Sequence, residues 1–145
     1  MKVRRSRVVP APPDDIWATV GDPYHLPRWW PRVERVELVQ GDGFTELLRT
    51  DKGRAIRADF RVVQSRRPEL RRWCQEVAGT PFEGILAWSE TEVRLEPDGA
   101  GATRVTLQQE QQLRGMARLG GVMARRAARR MLNEALEGLE GLHGA

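Results

Sequence analysis

One cysteine and two histidines are all that this 145-residue chain holds of the two residue types that most often carry metal and redox chemistry. The lone thiol, Cys74, excludes an internal disulfide and a multi-thiolate metal site within one chain. It falls in a strand-like run and reads as a buried structural thiol. His25 and His143 stand far apart in sequence, which leaves no histidine pair for a metal. Ser6, Ser65 and Ser89 have neither a neighbouring histidine nor a nucleophile-elbow sequence, so no nucleophile–base–orienter set is visible. Gly41-Asp42-Gly43 and Gly99-Ala100-Gly101 read as turns and not as phosphate-cradling loops. Apolar runs are as short as Ile85-Leu86-Ala87-Trp88, too short to cross a bilayer. The basic start, Met1 to Arg7, is followed by no apolar stretch of a secretory signal. A cytoplasmic protein with no metal and no cofactor is expected.

Hydrophobic residues make up 40% of the chain and charged residues 30%, the balance of a folded domain rather than a disordered one. The length fits a single domain over 1–145, with no internal repeat or linker. The net charge is +4, and Lys2 and Lys52 are the only lysines among the basic residues. Carboxylates balance most of that charge, so it is a weak argument for nucleic acid, and no DNA partner is expected.

The order of local signals is more informative. Val3 to Val9 reads as a strand. Pro12-Pro13 then opens a helix, where a missing N–H is harmless, and Asp14 and Asp15 favour its positive end. Gly21-Asp22-Pro23 ends that helix, and Tyr24 to Arg28 forms a further short turn. After Trp29-Trp30-Pro31 the period changes to two, with a hairpin signal at Gly41-Asp42-Gly43. Strands follow over Phe44–Thr50, Arg54–Gln64, Leu70–Ala78, Phe82–Glu96 and Thr103–Gln111. In the second of these, Ile56, Ala58, Phe60 and Val62 alternate with Arg57, Asp59 and Arg61, and the charged set is expected on a solvated outer face. Leu113 to Leu142 reads as one long helix, with Met116, Leu119, Met123, Ala127, Met131, Ala135, Leu139 and Leu142 as its apolar stripe and a bend or a close packing contact at Gly120-Gly121. Consecutive hairpin-linked strands make an antiparallel sheet, and the terminal helix is its cover.

This order, together with Val9-Pro10-Ala11-Pro12 through Ile16-Trp17, Trp29-Trp30-Pro31 with Val33 and Val36, and Glu96-Pro97-Asp98-Gly99 before Thr103 to Thr106, resembles the START-like superfamily. That superfamily is also called Bet v 1-like or SRPBCC, and the likeness is to its polyketide cyclase/dehydrase-type branch. The resemblance covers nearly the whole chain. It implies an α+β helix-grip fold: a curved seven-stranded antiparallel sheet wrapped around a long C-terminal helix, with two short helices after strand 1. It also implies a cavity between sheet and helix. Members include lipid carriers, hydrophobic-ligand receptors and aromatase/cyclases. They share no invariant catalytic residue, so none is carried over.

Inward strand positions and the helix stripe give the candidate lining. The turn contributes Trp29 and Trp30. Leu38, Ile56, Ala58, Phe60 and Val62 come from the first strands. Trp73, Gln75, Trp88, Glu90, Leu107 and Gln109 come from the later ones, and Met116, Leu119 and Met123 from the helix. Aromatic walls with a few polar groups describe a small-molecule pocket. Gln75, Gln109 and Gln111 share the phase of apolar neighbours and need partners, from a side chain or from a ligand. Glu90 follows Trp88 on one face and is a candidate cavity carboxylate, although Val93 and Leu95 imply that the opposite face is inside. Three readings follow. The first is a noncatalytic binder or carrier of a small hydrophobic or aromatic molecule. The second is a cyclase- or dehydratase-like enzyme using the same cavity. The third is an adaptor meeting RNA, an acidic protein or an anionic membrane surface through Arg125, Arg126, Arg129 and Arg130, without membrane insertion. A monomer or homodimer fits all three.

Overall fold

The computed structural model of the chain is described over residues 1–144. Strand β1 (Lys2–Val9) leads into helix α1 (Pro13–Val20) and, after a 3-10 turn at Pro23–His25, the single turn α2 (Leu26–Trp29). Six strands follow: β2 (Val33–Gln40), β3 (Gly43–Arg49), β4 (Ala55–Arg66), β5 (Leu70–Glu76), β6 (Leu86–Pro97) and β7 (Thr103–Leu113). A 3-10 segment, Gly115–Gly120, then precedes helix α3 (Gly121–His143). The seven strands form one antiparallel sheet in the order β1-β7-β6-β5-β4-β3-β2. The helix-grip architecture is thus present, with β1 closing back on β7.

Local sequence explains the entry to the fold. Pro13 sits in the first turn of α1, and Asp14 and Asp15 lie at its positive end. Ile16, Trp17 and Val20 are buried against the sheet. Asp22 caps the following turn by accepting the Tyr24 N–H at 3.0 Å. The buried Thr103 hydroxyl donates to the Ala11 carbonyl at 2.7 Å, tying β7 to the chain that enters α1. On the convex side Arg57 pairs with Asp59 and Arg61 with Glu76, which is the solvated outer face expected of those residues.

Two segments differ from the sequence reading. The strand expected from Phe82 begins only at Leu86. Pro81 starts a 3-10 turn through Gly84, capped by the Thr80 hydroxyl accepting the Phe82 N–H. The helix expected from Leu113 starts only at Gly121. Strand β7 runs through Leu113, and Gly115 at φ 63 turns the chain out of it. Gly120-Gly121 marks the junction between the 3-10 segment and α3, at the place expected to bend.

The buried stripe of α3 is Ala128, Leu132, Ala135, Leu136 and Leu139, again at three- and four-residue steps but rotated from the one expected. Each buried leucine contributes roughly 1.5–3 kcal/mol. Gly138 lets this face approach α2 closely: a Cβ there would lie 2.5 Å from the Trp29 carbonyl oxygen and 2.8 Å from its Cα. Gly141, one turn on, has nothing within 4 Å of that position.

The two glycines therefore respond oppositely to alanine. Gly138→Ala gains about 1 kcal/mol of helix propensity but forces the helix off Trp29, an overpacking cost of about 1–3 kcal/mol, for a net loss. Gly141→Ala keeps the propensity gain and raises Tm by about 3 °C. Thermal unfolding of the two variants checks this; equal shifts would contradict the close contact.

Candidate functional site

Only part of the concave face lies under α3. The remainder bounds a cavity of about 450 Å3. Its place follows from the sheet register. Phe60 stands opposite Gln75 on β5, and the pairings on either side bring Gln75 beside Ser89 on β6. Ser89 in turn stands opposite Gln111 on β7. Gln75, Ser89 and Gln111 therefore form one polar row across three strands. Trp73, Thr91 and Gln109 form the next row. Both rows line the cavity.

Aromatic rings and aliphatic chains make the walls. Trp30 meets Trp73 edge to face, with centroids 6.1 Å apart, and meets Trp29 in the same manner at 5.3 Å. Phe60 stacks on Phe44 at 5.3 Å and turns its other side to the space. Phe82, Ile85 and Leu113 form one end, Leu48 and Ile56 another, and Met131 is the contribution of α3. Arg32, Arg49, Asp51 and Ile85 are exposed lining residues, so the cavity opens to solvent at its ends.

The polar row is only partly satisfied from within. Gln111 donates its Nε2 to Ser89 Oγ at 3.2 Å. Gln75 Nε2 is buried and has no hydrogen-bond partner among the described residues. Such a donor is costly to leave unmatched in a folded chain.

Glu46 is the most distinctive group here. It comes from β3, lies 4% exposed, and lines the cavity. Burial alone pushes its carboxyl up to about 8, against an ordinary value of 4.5. No arginine or lysine is paired with it among the described residues. At neutral pH it is a protonated acid that can donate a hydrogen bond, and slightly above it a carboxylate that can accept a proton.

The sequence-expected residues divide into three sets. Trp30, Ile56, Phe60, Trp73, Gln75 and Gln109 meet at the cavity. Trp29, Ala58, Val62 and Leu107 are packed in or against the core instead. The third set is corrected by the structure. Leu38 is 63% exposed because a register shift between Glu37 and Gln40, with Leu38 itself at φ 53, reverses the phase of β2. A second shift between Leu86 and Trp88 turns Trp88 outward, where its indole N–H donates to Gln112 at 3.0 Å. Glu90 follows it to the convex face, paired with Arg72 at 3.1 Å and accepting from Cys74 Sγ at 3.4 Å. There burial and the Glu90 carboxylate push the Cys74 thiol up to about 11, as suits an inert structural cysteine. Met116, Leu119 and Met123 lie ahead of the covered part of α3 and are exposed.

Glu46 is absent from the sequence-based candidates, although a signal for it exists. Phe44, Glu46 and Leu48 share one phase of β3, so a period-two count already sets the carboxyl among apolar neighbours. Ser89 and Thr91 share the inward phase of Val93 and Leu95 on β6, so the same count reaches them too.

Glu46 leaves a trace in the pH dependence of stability. Below about pH 4.5 it is protonated in both folded and unfolded chains and contributes no slope. From there to about pH 8 the unfolded chain gives up its proton while the folded chain keeps it, so stability falls as pH rises. Denaturant unfolding of the protein and of Glu46→Gln should therefore diverge across this window, the variant gaining stability relative to the unmodified protein as pH rises toward 8. Parallel curves would mean that the carboxyl is not buried as described.

The fold has recognisable relatives. A family model described as polyketide cyclase / dehydrase and lipid transport matches residues 1–143. No curated protein matches the sequence. Among solved structures, a START superfamily protein from Mycobacterium smegmatis superposes with a TM-score of 0.81 at 15% identity, covering 98% of this chain and 96% of that one. The di-domain ARO/CYC BexL from the BE-7585A biosynthetic pathway gives 0.79 at 21% identity over 97% of this chain and 45% of its own. A protein from Thermus thermophilus gives 0.76 at 22% identity, with 97% and 95% covered. At these identities the superpositions establish the fold, and the match along nearly the whole sequence establishes the family: the chain belongs to the polyketide cyclase / dehydrase and lipid transport family.

Proposed function

We propose that the protein binds a small hydrophobic or aromatic molecule carrying at least one hydrogen-bond acceptor, held in the cavity between the sheet and α3. The observation that carries this reading is the pairing of aromatic walls with a polar floor in which the Gln75 donor is unmatched among the described residues. Apolar burial against Trp30, Phe60 and Trp73 supplies affinity, and the Gln75 amide fixes orientation. A volume of about 450 Å3 lies within the range of ordinary small-molecule sites. The family description, which includes both cyclases and lipid transport, is compatible with such a ligand.

A second reading, a cyclase- or dehydratase-like enzyme, draws on Glu46. A buried carboxyl held well above its ordinary range beside an aromatic-walled space can give a proton to a carbonyl oxygen, or take one from a carbon next to it. The aromatic walls would hold a flexible polyketide-like chain near its reactive geometry. Among the described residues no second titratable group is buried beside Glu46, so proton return would pass through solvent or the substrate itself.

Native mass spectrometry of freshly purified protein, followed by a screen of hydrophobic and aromatic compounds, tests the binding reading. A bound species is expected, and Gln75→Leu should weaken acceptor-bearing ligands about three- to tenfold while sparing pure hydrocarbons. An apo mass with no uptake from the screen would refute it. For the enzymatic reading, Glu46→Gln should lower turnover of a bound polyketide-like substrate about 100-fold or more with binding retained. Binding without turnover in the unmodified protein leaves the carrier reading standing alone.

A further inference from the structure

Between Glu110 and Glu134 the chain contains no carboxylate and six arginines: Arg114, Arg118, Arg125, Arg126, Arg129 and Arg130. The same stretch holds the most exposed apolar side chains of the described residues. Met116 and Leu119 are 80% exposed, Val122 is 77% and Met123 is 76%. A folded domain gains nothing by presenting four large aliphatic and thioether groups together to water. They lie on the 3-10 segment and the first turn of α3, before the stripe at Ala128 begins to pack.

The placement is fixed by the backbone. The Arg114 N–H donates to the Ile85 carbonyl at 2.9 Å, and Gly115 abuts the Gly84 carbonyl. The segment is thereby held against the end of β6 and stands out from the sheet. Beside it runs a groove of about 840 Å3 walled by Arg114, Arg118, Arg126 and Arg129, with Val122 at its edge. Arg125 also borders this groove and is partly committed, donating to the Lys2 carbonyl at 3.1 Å.

From these observations we infer that residues 114–130 form a peripheral docking surface for an anionic lipid bilayer. Met116, Leu119, Val122 and Met123 enter the headgroup–acyl boundary, and the flanking guanidinium groups pair with lipid phosphates. Charge complementarity selects an acidic partner, and the aliphatic set selects a lipid one. An RNA surface would call for exposed aromatic rings to stack on bases, and this segment has none. Arginines around a short apolar face on a helix start are the composition of interfacial segments that lie on a membrane without crossing it. No helix of the described chain is long and apolar enough to cross a bilayer, which fits docking rather than insertion. The inference is independent of what fills the cavity.

Vesicle co-sedimentation of the intact protein tests it, with phosphatidylcholine alone and with an equal mixture of phosphatidylcholine and phosphatidylglycerol. Binding is expected only to the anionic vesicles and should weaken with added salt. Two double variants, Leu119→Asp with Met123→Asp and Arg126→Gln with Arg130→Gln, should each weaken it about tenfold or more. All four residues are exposed, so the fold tolerates these changes. Val63→Asp, an exposed apolar residue on β4, should leave binding unchanged. Failure to bind anionic vesicles at low salt would overturn the inference. So would anionic binding that the aspartate pair leaves intact, which would reduce the contact to charge alone. Tighter binding to homopolymeric RNA than to vesicles would assign the face to nucleic acid. A dimer seen by light scattering and dissolved by the aspartate pair would assign it to a second copy of the chain.

Discussion

The close seat of Gly138 on the Trp29 backbone governs how α3 lies across the sheet. A helix can approach another backbone this closely only where it carries no side chain, so the contact pins the C-terminal half of α3 beside α2. Ala128, Ala135 and the three buried leucines then fill the space directly beneath. Because the helix is clamped at one end of a curved surface, the other end of the concave face is left bare, and Met131 is the last side chain of α3 to reach it. The cavity is thus a geometric remainder of one tight contact rather than a separate device.

That remainder is polar on its floor and aromatic on its sides. Strand pairing supplies the floor, since neighbouring inward positions on β5, β6 and β7 are Gln75, Ser89 and Gln111. Packing supplies the sides, since Trp30 must turn inward to meet Trp73. Glu46 enters from β3, across Phe60 and Ala58 from the amides. An acid held far above its usual range by desolvation is a cost to folding, and the cavity is where that cost is concentrated. Both functional readings use the same space and differ in whether that acid orients a guest or exchanges a proton with it.

Most of the architecture is legible in the sequence because it rests on period and punctuation. The alternation of Ile56, Ala58 and Phe60 against Arg57, Asp59 and Arg61 gives the faces of β4 directly, and the proline start of α1 needs no tertiary information. What is not legible depends on single inserted residues. The bulge before Trp88 moves that tryptophan and Glu90 to the convex face, and the irregularity at Leu38 does the same on β2. No local pattern announces the shift at Leu38, whereas the phase of Val93 and Leu95 already sets Trp88 and Glu90 on the outer face of β6. The methionine stripe misleads for a different reason: its spacing is helical, but which helical face is covered depends on where the sheet ends.

The distortion around Leu38 has a further role. An open seven-stranded sheet has two unpaired margins, β1 and β2. A long flat margin invites another chain to add itself by backbone hydrogen bonding. Strand β2 is irregular at Leu38 and carries Glu34, Arg35 and Glu37 on its length, while β1 carries Lys2, Arg4, Arg5 and Arg7. The residue that defeats a simple count of faces also makes the rim a poor template, and so guards the fold against fibrous self-assembly.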